Sequence, residues 1–223
     1  MIKLCVFDND GVLTDCRKVH FDALNMAIAD WQSVSAFRDY TINEDEHELI
    51  YNGLPTSVKL NLLTHNKRLP IESYNTIECL KQEYTIKLIK ETVKSKDYIH
   101  IHELLQLLRV KGYQIHCASN CSPETLNLML ELAGYKQYFH RVFSNKDVVN
   151  PKPNPEIYLK SSYIAGVHPF DTLVLEDSPK GIAAVEAANM NLLRVESPKD
   201  VTISNVMNKI QTIDDYFDRY IGK

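Results

Sequence analysis

Ile2-Lys3-Leu4-Cys5-Val6-Phe7-Asp8-Asn9-Asp10-Gly11-Val12-Leu13-Thr14-Asp15 is the stretch whose reading decides the fold. Residues 2–7 form a short apolar run with β-branched and aromatic members, stopped by polar residues and Gly11, which predicts a buried strand running into a loop. At that strand end Asp8 and Asp10 place two carboxylates where the chain must turn. Carboxylates so close repel one another unless a cation or a proton lies between them. An Asp-rich turn is the plain structural alternative, since Asp and Gly are common turn residues.

The same grammar recurs along the chain. Tyr113 to Ala118, Arg141 to Phe143, Thr172 to Leu175 and Leu192 to Val195 are similar short runs, separated mostly by stretches of helical spacing. One helix reads in detail. Ser122 suits the N-cap and Pro123 the first turn, Leu126, Met129, Leu130 and Ala133 make one apolar stripe, and Gly134 suits the stop. Ser178, Pro179 and Gly181 open another. Strand and helix in alternation predict an α/β fold with a mostly parallel sheet covered on both faces, whose ligands bind beyond the carboxyl ends of the strands.

Between roughly Asp15 and Lys90 the pattern changes. Phe21 to Trp31, Glu46 to Leu54, Ser57 to Leu63 and Ile71 to Lys94 look helical with no convincing strand among them, which predicts an inserted α-helical domain over 15–90 and a discontinuous core over 1–14 and 91–223. The last of these helices carries Lys81, Lys87, Lys90, Lys94 and Lys96 among interleaved acids. A solvated helix surface accounts for them better than an anion-binding face.

Three further strand ends carry groups that complement the paired aspartates: Ser119-Asn120, Lys152 beyond Val142-Phe143, and Glu176-Asp177. A parallel sheet brings all of these to one edge. Singly, Ser119 could cap a turn, Lys152 could be surface and Glu176-Asp177 could start a helix. Jointly, a carboxylate nucleophile, a second carboxylate to shuttle protons, a hydroxyl, a lysine and a distant acidic pair form a coherent site for phosphoryl transfer assisted by a hard cation.

Four ordered motifs now carry a family resemblance: Phe7 through Asp15, Ala118-Ser119-Asn120, Lys152-Pro153-Asn154-Pro155-Glu156-Ile157-Tyr158, and Leu175-Glu176-Asp177-Ser178-Pro179-Lys180-Gly181-Ile182-Ala183-Ala184. In these the chain resembles the haloacid dehalogenase superfamily, in the subgroup that holds β-phosphoglucomutase and many small sugar phosphate phosphatases. The resemblance implies a Rossmann-like core with a small helical cap inserted after the first strand. It implies Asp8 as the nucleophile that forms an aspartyl phosphate and Asp10 as the acid and base. It further implies Mg2+ held by Asp8, the Asp10 carbonyl and Asp177, with Glu176 orienting a metal-bound water, and phosphate held by Ser119, Asn120 and Lys152.

Within the resemblance, an acid at Asp10 points to phosphate esters and away from dehalogenation. Gly53-Leu54-Pro55 resembles the cap loop that selects substrate, but Thr56 stands where β-phosphoglucomutase has an arginine, which weighs against a mutase. Ile99-His100 replaces a usual Pro-Gly, and Asn189 a usual glycine. The expected activity is hydrolysis of a small phosphorylated metabolite such as a sugar phosphate or phosphoglycolate. A phosphoglucomutase-like transferase and a catalytically silent binding protein are the alternatives.

Composition agrees with an ordinary globular protein: 223 residues, 44% hydrophobic and 24% charged. A formal net charge of -4 lacks the basic footprint of a protein that binds nucleic acid or lies on an anionic membrane, so small molecules are the expected partners. The brief apolar start fits neither a signal peptide nor a membrane span. The cysteines Cys5, Cys16, Cys79, Cys117 and Cys121 offer no disulfide framework and no zinc pair, so a cytoplasmic protein with reduced thiols is expected, monomeric for its size. Cys121, beside the expected phosphate loop, reads as an inert thiol. His100 and His102 form an isolated His-x-His that reads as surface or core, not as a metal pair.

Overall fold

The computed structural model describes residues 1–34, 39–95 and 97–220. The elements are β1 (Leu4–Phe7), α1 (Arg17–Ser33), α2 (Glu44–Glu46), α3 (Thr56–Lys67), α4 (Tyr74–Thr92), α5 (Ile99–Val110), β2 (Gln114–Ala118), α6 (Pro123–Leu132), β3 (Arg141–Phe143), α7 (Glu156–Ala165), β4 (Thr172–Glu176), α8 (Pro179–Ala187), β5 (Asn191–Arg194) and α9 (Ile203–Tyr220). They fall into two compact units, one of Met1–Asp15 with Lys94–Lys223 and one of Cys16–Val93. Among the described residues no helix is long and apolar enough to cross a membrane.

The first unit is built on a five-stranded sheet in the order β3-β2-β1-β4-β5, parallel at every pairing. This is the α/β, Rossmann-like architecture expected from the alternating runs. Because both faces are covered, strand residues are apolar without alternation: Leu4, Cys5, Val6 and Phe7 are all fully buried. On one face Leu4, Val6, Ala118 and Val174 pack with Ile157 and Tyr158 of α7 and with Ala184 and Val185 of α8. The chain runs outward from β1 through β2 to β3, then returns to the other side of β1 as β4 and β5. The carboxyl ends of β1 and β4 therefore flank the point where strand order reverses, the place where such sheets hold ligands.

Helix ends follow their sequence signals. Ser122 caps α6 by accepting from Thr125 N, with Pro123 at the first position, and Gly134 after it takes a φ of 75°. Ser178 caps α8 in the same way, accepting from Gly181 N. After α8, Asn189 stands at a φ of 53°, the left-handed conformation that asparagine tolerates better than other side chains with a Cβ.

The second unit is all helical among its described residues. Leu24, Ala27 and Ile28 of α1, Leu60 and Leu63 of α3 and Ile77 of α4 form its core with Tyr40, Ile42, Tyr51 and Leu69. The segment read as one helix over Glu46 to Leu54 is instead α2, started by an Asn43–Glu46 capping box, followed by a π-helical turn over His47–Tyr51. That wide turn closes with Asn52 N donating to His47 O at 2.7 Å. The lysines read as a solvated face divide. Lys87, Lys90 and Lys94 are exposed, Lys94 lies beyond the end of α4, and Lys96 is outside the described residues. Lys81 is a correction: it sits on the buried stripe Ile77, Lys81, Thr85, Ile89, because its four-residue spacing from Ile77 puts it on the inward face.

Candidate active site

Asp8 follows the last residue of β1, and its N–H donates to Leu175 O at 3.1 Å, so pairing with β4 continues one residue past the strand and fixes its direction. The loop then closes on Asn9, whose carbonyl accepts from Leu13 N and Thr14 N, each at 2.9 Å. Gly11 has a φ of +90°, and a Cβ there would stand 2.0 Å from Asp177 Oδ2. Only glycine satisfies both conditions, and it is what lets the Asp177 carboxylate lie against the loop that carries Asp8 and Asp10.

Lys152 reaches the same place from the loop before α7. Its ammonium donates to Asp8 Oδ1 at 2.7 Å, to Glu176 Oε1 at 2.6 Å and to Ala118 O at 2.9 Å. An ammonium has three protons, so these three acceptors match its capacity. Its backbone is tied to the end of β2 by a reciprocal pair: Lys152 N donates to Asn120 Oδ1 at 3.1 Å, and Asn120 Nδ2 donates to Lys152 O at 3.2 Å. Ser119, buried beside them, accepts from Cys121 N at 3.2 Å.

Glu176 is fully buried and engaged through both oxygens. Oε1 accepts from Lys152 and from the Tyr158 hydroxyl at 2.6 Å, while Oε2 accepts from Asp177 N at 3.1 Å and from Ser178 N and Oγ at 3.2 Å. A Cβ on Gly181 would meet Glu176 Cδ at 1.9 Å, so the first turn of α8 packs directly on this carboxylate. The Tyr158 ring also lies under the lysine, with Nζ 4.7 Å from its centroid.

The electrostatics follow from one lysine among several acids. Burial pushes the Asp8 carboxyl well above the usual range; Lys152 opposes this, and Glu176 and Asp177 add to it. Burial pulls Lys152 down, but Asp8 and Glu176 outweigh it and the ammonium is held above its ordinary value. Burial, then Glu176 and Asp8, push the Tyr158 hydroxyl up, so it stays a proton donor. Asp8, Glu176 and Asp177 each offer a carboxylate oxygen within 4.8 Å of the others. An all-oxygen, acid-rich donor set fits a hard divalent cation such as Mg2+, whose charge would favour the ionised form of Asp8.

Asp8, Lys152, Glu176 and Asp177 therefore meet at one rim of the sheet, with Ser119 and Asn120 on the adjoining loop. Asp10, half-buried, lies in the same loop as Asp8 and is bridged to Thr14. Gly53, at a φ of 72°, and Thr56, the first residue of α3, belong to the helical unit. His100 and His102 have separate partners, Pro198 O at 3.0 Å and the Tyr138 hydroxyl at 3.3 Å, as befits structural side chains. The residue that sequence reasoning left without a role is Tyr158. It closes the Lys152 motif, and its polar tip on an inward helix position is the signal that a buried partner was needed.

Residues 2–189 match the model of the haloacid dehalogenase-like hydrolases. The chain is 24% identical over 204 residues to pyrophosphatase PpaX of Oceanobacillus iheyensis, covering 87% of this chain and 83% of that one. It is 27% identical over 188 residues to a phosphorylated carbohydrates phosphatase of Thermotoga maritima, covering 83% and 81%. A crystal structure of β-phosphoglucomutase from Clostridium difficile shares the fold with a TM-score of 0.81, 24% identity and coverage of 97% and 99%. With the family model spanning most of the chain, this protein belongs to the haloacid dehalogenase-like hydrolase family.

Proposed function

We propose that the chain is a Mg2+-dependent phosphatase that hydrolyses a small phosphorylated metabolite through an aspartyl phosphate on Asp8. The observation that carries this reading is the bond from the buried Lys152 ammonium to Asp8, with Asp177 and Glu176 around it. Asp8 is the carboxylate placed to attack. One of its oxygens forms a bond to phosphorus as the ester P–O bond breaks, and Asp10 gives its proton to the leaving alkoxide. Water then attacks the acyl phosphate, releases phosphate and passes a proton back to Asp10.

Bound through Asp8, the Asp10 carbonyl and Asp177, Mg2+ would offset the repulsion between an anionic ester and these acids. Lys152 neutralises the same charge, and Ser119 with the loop at Asn120 holds phosphoryl oxygens. Glu176, with both oxygens engaged by protein donors, is better assigned to holding Lys152 in place than to orienting a metal-bound water. We read the helical unit as the cap that excludes bulk water and selects the leaving group. Thr56, standing where β-phosphoglucomutase has arginine, supports hydrolysis over isomerisation.

Released phosphate from p-nitrophenyl phosphate and a panel of sugar phosphates tests this. Turnover is expected with Mg2+, to vanish with a chelator, and to be lost in Asp8→Asn and in Asp10→Asn. Most of the activity surviving in either variant overturns the assigned roles. An isomerised sugar phosphate in place of free phosphate points to the transferase instead.

A further inference from the structure

Lys152 stands in a stretch, residues 148–155, that holds neither strand nor helix, and its neighbours Pro151, Pro153 and Pro155 have no N–H to give. Backbone donors that secondary structure leaves over must find partners elsewhere. From Val149 to Glu156 they find them mostly on side chains. Val149 N donates to Glu156 Oε1 and Asn150 N to Glu156 Oε2, each at 2.8 Å, and Asn150 Nδ2 adds a third bond to Oε2 at 3.0 Å. Lys152 N goes to Asn120 Oδ1 and Glu156 N to Asn154 Oδ1 at 3.0 Å, while Asn154 N turns back to Pro151 O at 3.0 Å.

One carboxylate therefore takes both backbone donors on the approach to Lys152. Glu156 is also the first residue of α7, the helix that carries Tyr158, whose ring lies 4.7 Å from Lys152 Nζ. The backbone before Lys152 and the ring under its ammonium are thus set by one element. Exposure differs sharply across this short span: Lys152 is 3% exposed and Val149 87%. Bonds in reach of solvent add little to stability, because water takes over the freed N–H groups. Water does not fix where those groups point. Lys160 Nζ, donating to Asp147 O, and the Asn120 pair would still hold the loop without Glu156, but the approach through Val149 and Asn150 would lose its clamp.

We propose that Glu156 is a positioning residue for the reaction at Asp8, its carboxylate setting the backbone from which Lys152 reaches the nucleophile. This rests on the phosphatase reading above and extends it to a group outside the sheet rim. A first-turn acid also complements the dipole of α7, and aspartate serves that purpose as well as glutamate. Reach separates the two roles. An aspartate, one methylene shorter, must draw the loop inward to keep both backbone bonds, and a glutamine keeps the length but turns a donor toward one of the same N–H groups.

The test measures phosphate release from p-nitrophenyl phosphate with Mg2+, thermal melts, and reductive methylation of lysines by formaldehyde, read by peptide mass spectrometry. Glu156→Asp and Glu156→Gln are each expected to lower kcat about ten- to a hundredfold, the cost of a displacement on the order of 1 Å at a reacting group, and Asn150→Ala by less, about two- to fivefold. Tm should fall by no more than about 4 °C. Lys152 should be methylated several-fold faster in both Glu156 variants than in the wild type. Wild-type kcat in both variants of a protein that does hydrolyse p-nitrophenyl phosphate overturns this proposal and leaves the phosphatase standing. A lowered kcat with Lys152 as protected as before also overturns it, as does a loss of kcat that only tracks a collapse in Tm. Full activity in Glu156→Asp with loss in Glu156→Gln is the signature of the helix dipole and overturns it too. No hydrolysis by the wild type removes the phosphatase reading and this proposal with it.

Discussion

Replacing Tyr158 with Phe deletes a single oxygen from the centre of the site and leaves everything else in place. That oxygen donates to Glu176 Oε1 at 2.6 Å, and both residues are fully buried. A hydrogen bond to a buried carboxylate is worth about 1.5–3 kcal/mol, and the absence of competing water argues for the upper half of that range. Glu176 keeps its bond from Lys152 and three bonds to its other oxygen, so no charge is left uncompensated and the loss should not reach that of a broken buried ion pair. For a chain of 223 residues this corresponds to a fall in Tm of roughly 4–10 °C. The ring under Lys152 remains, so the lysine keeps its charge and most of its position. We expect kcat to drop about three- to tenfold with KM little changed, because a loosened Glu176 lets Lys152 shift away from Asp8. Thermal melts and phosphate-release kinetics measure the two effects. An unchanged Tm refutes the bond, and a lowered Tm with wild-type kcat refutes the role of Tyr158 in holding Lys152.

Two other perturbations follow from the same geometry. Gly181→Ala puts a methyl group 1.9 Å from Glu176 Cδ, and since Glu176 is bonded to Lys152 and Tyr158 it can yield only by disturbing both; kcat should fall tenfold or more with about 1–3 kcal/mol of lost stability, and wild-type kinetics would contradict the packing described. His116 on β2, bonded to Ser161 Oγ at 2.9 Å, is pushed down to about 4 by burial and then by His140 and Arg141. Between its ordinary 6.5 and about 4 the unfolded chain takes up a proton that the folded chain does not, so this contribution is complete above pH 6.5 and is lost as pH falls toward 4, by up to ~3 kcal/mol. Denaturant titrations from pH 7 to 4 should show that slope in the wild type and a flatter curve in His116→Gln; identical slopes would remove His116 as the cause.

The core was legible because a parallel sheet covered on both faces writes each strand as a short apolar run, and each run ends where chemistry begins. Strand edges moved by only a residue or two. β1 starts at Leu4, not Ile2, and β5 starts at Asn191, not Leu192, with the Asn191 side chain donating to Phe170 O at 2.7 Å. Cap signals at Ser122 and Ser178 were equally readable. The Asn43 to Glu46 capping box was also written in the sequence and would have moved the helix start upstream, whereas no local pattern announces a π-helical turn. Asp8, Lys152, Glu176 and Asp177 could be named from their strand ends, but the sequence could not show that Glu176 spends both oxygens on protein donors. Lys81 was misjudged by type: its register with Ile77 and Ile89 said inward, and its charge said outward. Register was the better guide.

That outcome bears on how a phosphate site is built from so few cations. At the sheet rim one ammonium faces Asp8 and Glu176, with Asp177 beside them, and its three protons already have three acceptors. A phosphate ester brought to Asp8 adds negative charge to a place that is already rich in it, so the protein's own side chains oppose its arrival there. On the proposed reading, a divalent cation held by these acids would offset that charge. Lys152 can turn to a phosphoryl oxygen only by releasing an acceptor it now holds. Glu176, fixed by Tyr158, by Ser178 and by the close approach of Gly181, and the strand carbonyl Ala118 O are both less able to follow it than Asp8. If Asp8 is the nucleophile, as proposed, exchanging the bond from Lys152 to Asp8 would free that carboxylate oxygen to attack.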